Sequence, residues 1–149
     1  MNTLHPDTLI KNPAGCEVAA SITVPADARE VWKVVGNFAG FHHFIPAIER
    51  IEMTGEGVGS LRKKFFIEGG HIVVEQLNSR DDQAMTMTWT TLYNTLEIGN
   101  LWASMQVVKS PVGSGCTATW SIHAEPAELA GFLQAFAEGA MDNVLKRFA

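Results

Sequence analysis

The strongest constraint in this chain is its last stretch, residues 127–148, AELAGFLQAFAEGAMDNVLKRF. On a 100° wheel Leu129, Phe132, Leu133, Phe136, Ala140 and Val144 fall within one arc of about 120°, the pattern of an amphipathic helix. Pro126 stands before it, where a missing N–H costs least, and Lys146 and Arg147 suit the negative end of the helix dipole. At ~1.5 Å per residue the helix runs about 33 Å, long enough to cross a small domain. Its apolar stripe needs a wide surface to bury against.

The upstream sequence supplies one. Residues 16–24, CEVAASITV, read as a first strand that stops at Pro25. Asp27 is placed to cap a helix over 28–35, with Glu30 completing a capping box and Gly36-Asn37 ending it. A second short helix or turn, FAGFHHFI, is cut by Pro46. Six strands follow, near 47–55, 58–68, 71–80, 84–94, 100–110 and 115–125, separated by short turns such as Gly55-Glu56-Gly57 and Gly69-Gly70. Alternation is clearest in AMTMTWTT, where Met85, Met87 and Trp89 face one way, and in TATWSIHA, where Ala118, Trp120 and Ile122 do. The order predicts an α+β fold, one curved antiparallel sheet with its helices on one face. Gly131 and Gly139 inside the last helix, and Asn143 on its apolar stripe, hint at an interior that is not solid. The alternative is that the glycines permit close helix–sheet contact and Asn143 lies near a wet end.

Length and charge narrow the function classes. The 149 residues fit one domain, residues 16–149, preceded by a loose arm over 1–15. A net charge of −5 offers no broad cationic surface, which argues against nucleic acid as a partner. No apolar run is long enough to span a membrane, and the start lacks the apolar core of a secretion signal, so the cytoplasm is the expected compartment. Cys16 and Cys116 are expected as free thiols, buried or half-buried. With them, the five histidines (His5, His42, His43, His71, His123) form no metal-ligand spacing, and no metal is expected.

The order and spacing of ITVPADAREVWKVVGNF, FHHFIPAI, GEGVGSLRKKF, VVEQLNSRDD and TATWSIHAEP resemble the START and birch-pollen-allergen-like (SRPBCC) superfamily. Within it the polyketide cyclase/dehydrase-type branch, related to the plant abscisic acid receptors, is the nearest match. The resemblance covers about residues 16–148. It implies a helix-grip fold, a seven-stranded sheet wrapped round the last helix with a cavity between them, two short helices after the first strand, and no shared cofactor. Members bind or act on hydrophobic small molecules. Matched residue by residue, His42 stands where the receptors have a ligand-contacting lysine, Arg62 matches the arginine after the GxG turn, and Glu75 the glutamate of an ERL-like segment, here EQL. The receptors' gate segment is missing, with only Glu68-Gly69-Gly70 in its place, and LYNTLEIGN departs from the branch's usual run.

Pattern and resemblance disagree about the hairpin over 58–77. With Gly69-Gly70 as a two-residue turn, Lys64 opposes Glu75. One face then carries Arg62, Lys64, Phe66, Val73, Glu75 and Leu77, the other Leu61, Lys63, Phe65, Ile67, Ile72 and Val74. The second set is the greasier and by pattern belongs inside. The resemblance puts Arg62 and Glu75 inside, where they must pair; a bulge near the glycines is one way to reconcile the two. The reading taken here follows the resemblance, which leaves Phe65, Ile67, Ile72 and Val74 as an apolar outer face suited to a homodimer. As an exposed run, Arg62, Lys63 and Lys64 would be a solvated patch.

Three functions are open at this stage. In the first, a cavity takes a hydrophobic small molecule bearing a polar group. Its lining comes from Phe66, Val73, Met85, Met87 and Trp89, from Trp102, Ser104 and Trp120, and from Phe132 and Phe136; His42, Arg62, Glu75 and Asn143 orient the ligand. In the second, a cyclase or dehydratase uses His42 or Glu75 to exchange protons and Arg62 to polarise an oxygen. In the third, the protein pairs through its outer sheet face around a vestigial cavity.

Overall fold

The computed structural model describes residues 6–7 and 9–148; residues 1–5 and 8 of the predicted arm, His5 among them, and Ala149 lie outside it. Seven strands and two α-helices follow the predicted order. They are β1 (Val18–Val24), α1 (Ala28–Val35), β2 (Ile48–Thr54), β3 (Leu61–Phe66), β4 (Ile72–Asp81), β5 (Thr86–Asn94), β6 (Asn100–Lys109), β7 (Cys116–Glu125) and α2 (Ala130–Phe148). The strands form one antiparallel sheet in the order β1-β7-β6-β5-β4-β3-β2. This is the helix-grip arrangement, with α2 packed along β1 and β7 and α1 on β6 and β7. The second short helix is a 3-10 turn, Phe41–His43, and the first residues of the predicted long helix, Ala127–Leu129, are another.

Local sequence explains the element ends. The Asp27 carboxylate accepts from the Arg29 N–H at 2.8 Å and caps α1. The capping box is not completed: Glu30 pairs with Lys33 at 2.9 Å instead. β5 begins at Thr86 rather than residue 84 because Met85 takes a left-handed conformation, φ 58°, that ends the preceding turn. From there the alternation holds. Met87 and Trp89 are buried in the core, while Thr88 and Thr90 on the other face bond Ser79 and Asn78 at 2.6 Å each.

The buried stripe of α2 is Leu133, Ala137, Ala140, Met141 and Val144, which shares Leu133, Ala140 and Val144 with the predicted arc but is rotated from Phe132 and Phe136 toward Ala137 and Met141. Phe132 is 63% exposed. Gly131 and Gly139 do not serve close packing, since a Cβ at either would meet nothing within 4 Å. Asn143 donates to the Phe44 carbonyl at 3.2 Å, tying α2 to the 41–43 turn. At the sheet edge the Gln134 side-chain amide bonds both backbone groups of Ala19, accepting from its N–H at 3.2 Å and donating to its carbonyl at 2.8 Å.

The concave face is filled unevenly. Under α1, where β5 and β7 start and β6 ends, Met85, Met87, Met105, Val107 and Ala118 pack against Val31, Trp32 and Val35 as solid core. Toward the far ends of the same strands the interior opens. The outer face is broken up rather than continuously apolar. Phe65 lies under the Arg50 guanidinium at 3.8 Å, and Val74 is buried. The Asp7 N–H donates to the Gln76 side chain at 2.6 Å, so the chain meets the sheet at that residue. Cys16 is half-buried and Cys116 buried, both as free thiols. No helix among the described residues is long and apolar enough to cross a membrane.

Candidate functional site

The hollow end of the sheet encloses a cavity of about 590 Å³. Its walls are apolar for the most part: Phe66 and Val73 from β3 and β4, Trp89, Leu101, Ala103, Trp120 and Ile122 from the middle strands, and Phe132, Leu133 and Phe136 from α2. Ile67, Leu96 and Phe132 are both wall and surface, which places the mouth between the β3–β4 turn, the β5–β6 turn and the start of α2. The β3–β4 turn needs its glycines, since Gly69 and Gly70 have φ of +69° and +61°.

Buried charge enters this apolar space through one cluster. Arg62 pairs directly opposite Glu75 across β3 and β4, and Lys64 sits two residues along on the same face. Arg62 Nε donates to Glu75 Oε1 at 2.8 Å, Lys64 Nζ lies 3.0 Å from the same oxygen, and the Thr91 hydroxyl donates to Oε2 at 3.1 Å. Arg62 is wholly buried. It donates to the Phe38 carbonyl at 2.9 Å and its guanidinium lies 3.9 Å and 4.1 Å from the Phe38 and Phe41 rings. Burial pushes the Glu75 carboxyl up, but the charges of Lys64 and Arg62 and their hydrogen bonds outweigh it and hold the group at about 2. Burial draws the Lys64 ammonium down against the pull of Glu75, and Arg62 adds to the lowering.

The hairpin thus turns its charged face inward, as the resemblance implies. The register differs from the expected one by two residues, with Arg62 rather than Lys64 opposite Glu75, because the turn spans 67–70. A slip of two keeps every side chain on its face, where a slip of one would have inverted them. No bulge is needed within this pairing, which runs regularly from Leu61–Gln76 to Phe65–Ile72. The bulges lie elsewhere, in β4 against β5 and in β2 against β3.

The structure brings Phe66, Val73, Glu75, Trp89, Trp120, Phe132 and Phe136 together on the cavity wall. It separates the others. Met85 and Met87 are on the right face but at the solid end. Trp102 and Ser104 point to the convex face, in line with Thr90 and His123 and with Thr88 and Ser121, because the inward positions of β6 are Leu101, Ala103 and Met105. Arg62 lies beneath the wall rather than on it, and Asn143 serves the helix tether. His42 stacks on His43 at 4.1 Å and does not reach the cavity; burial and then the His43 charge lower its pKa. The run Arg62-Lys63-Lys64 is no solvated patch, since Arg62 and Lys64 are buried. Sequence reasoning passed over Lys64, although period-2 alternation put it on the face of Arg62 and Glu75, and it passed over the small and aliphatic wall residues Leu101, Ala103, Ile122 and Leu133.

The sequence profile of the polyketide cyclase/dehydrase and lipid transport family matches residues 15–149. The chain belongs to this family. Solved structures share the fold across it. XoxI from Bacillus cereus superposes with a TM-score of 0.78 at 17% identity, covering 88% of this chain and 94% of its own. A protein from Thermobifida fusca gives 0.74 at 26% identity, covering 88% and 91%. The Zhui aromatase/cyclase from Streptomyces sp. R1128 gives 0.68 at 18% identity, covering 87% and 91%. No curated protein sequence matches the chain. Family membership leaves both ligand binding and cyclase chemistry open, so the choice between them rests on the cavity.

Proposed function

We propose that this protein binds a hydrophobic small molecule carrying a polar group, held between the sheet and α2. The observation that carries this reading is the apolar cavity of about 590 Å³ with one buried charged cluster on its wall. That volume lies within the roughly 300–1,000 Å³ usual for small-molecule sites. Aromatic rings from three strands and α2 favour a flat or flexible guest.

The chemistry of the cluster argues for binding over turnover. A general acid or base works best with a pKa near the operating pH. Glu75, held at about 2 by two cations, is too weak a base and is already ionised, so it has no proton to give. His42, the other proton carrier of the cyclase reading, does not reach the cavity.

Native mass spectrometry of the purified protein tests the proposal, with a co-purified small molecule as the expected result. Ala103, buried on the wall, offers the matching variant: Ala103→Phe should fill the space and empty the protein of that molecule. A protein that carries no guest, and whose tryptophan fluorescence no hydrophobic probe changes, would sink the reading.

A further inference from the structure

The charge count of the buried cluster is unbalanced. Two cations, Arg62 and Lys64, share one carboxylate, and both reach the same oxygen, Glu75 Oε1. The second Glu75 oxygen is taken by Thr91. Arg62 keeps its Nη2 without an acceptor, and the Lys64 ammonium, with three donors, has Glu75 as its ion-pair partner among the described residues. The other acid on the wall, Glu68, sits on the exposed 67–70 turn. An excess buried cation is costly unless an anion meets it. Of the two cations only Lys64 lines the cavity.

We propose that the ligand is an amphipathic acid, its anionic head paired with the Lys64 ammonium and its apolar body against Phe66, Trp89, Trp120 and Phe136. This rests on the cavity-binding reading and names its ligand class. Glu75 then acts as the fixed counter-charge that orients Lys64, and the incoming carboxylate supplies the acceptor the cluster lacks. An uncharged analogue of the same shape would fill the apolar space and leave the ammonium as it was.

The test compares lauric acid with lauryl alcohol at neutral pH, each titrated into the purified protein. Trp89 and Trp120 stand on the wall and their fluorescence reads the titration. The acid should bind at least about 10-fold tighter, the scale of a hydrogen bond to a charged group. Lys64→Met keeps the length and apolar stem of the side chain and leaves Arg62 and Glu75 as a balanced pair; it should erase the preference, and Lys64→Arg should retain it. The wild-type comparison needs no variant to fold. Equal binding of acid and alcohol overturns the acidic ligand and leaves the cavity reading standing. A preference that survives in Lys64→Met overturns the role of Lys64. Binding of neither compound overturns the acidic ligand, and the cavity reading is then decided by the co-purified guest and the wider set of hydrophobic probes.

Discussion

Along β6, which carries both Met105 and Ala103, a single step of the alternation separates two kinds of interior. At Met105 the concave face is fully occupied, with Met87, Val107 and Ala118 closed under α1. From Ala103 outward the same face borders open space, roofed by Phe132, Leu133 and Phe136 of α2. Rings mark the boundary: Trp89 and Trp120 are 6.4 Å apart, and Phe41 stands edge-on to both. The difference follows from which helix covers which end. α1 is short and lies over β6 and β7 at the closed end, so the sheet beyond its reach is covered by α2 and by the segment that leads through Phe41 to Pro46 and Ala47. Solid core supplies stability, and the hollow is kept open by what its walls lack.

The sharpest way to break this comparison is to remove the charge that holds the hollow end together. Glu75→Gln leaves two buried cations without a counter-ion and should cost about 3–5 kcal/mol, read from chemical denaturation. The same residue predicts an acid transition. Glu75 titrates lower in the folded protein than its ordinary value of 4.5, so its contribution is complete above that value and drains away as pH falls toward about 2. Glu75→Gln should flatten that part of the stability profile; an unchanged acid profile would deny the cluster its role.

A paired truncation compares the two ends directly. Met105→Ala opens a void in close-packed core and should cost roughly 2–5 kcal/mol. Phe132→Ala, at a side chain 63% exposed, should change stability by no more than about 0.5 kcal/mol while loosening any bound guest. Equal thermal shifts for the two variants would mean the hollow end is packed like the closed one. A small gain, rather than a loss, is expected on the solvent side of α2. Gly139→Ala places its methyl in open space and should raise stability by about 0.5–1 kcal/mol in a thermal melt.

The fold was legible because period-2 alternation and glycine turns mark strands independently of what covers them. Trp120 and Trp89 were placed on the correct face by that rule alone. Periodicity fixes a face but not a distance along the strand, which is why Met85 and Met87 were assigned to a cavity that begins beyond them. It also fails where both faces are buried. Trp102 is as hidden as Leu101, so size and hydrophobicity could not tell which pointed inward. Lys64 was obscured by its neighbours in an Arg-Lys-Lys run, since burial of a lysine depends on a carboxylate supplied by another strand. His42 was placed by resemblance, and the 3-10 turn that carries it directs the ring elsewhere.

The clasp that Gln134 makes on Ala19 has a meaning for life in a crowded solution. β1 is a border strand, and an unguarded border can recruit a stray chain and seed a growing ribbon. One amide side chain occupies the N–H and carbonyl of Ala19 that such a newcomer would seek. The helix that roofs the cavity thus also guards part of the sheet's open border.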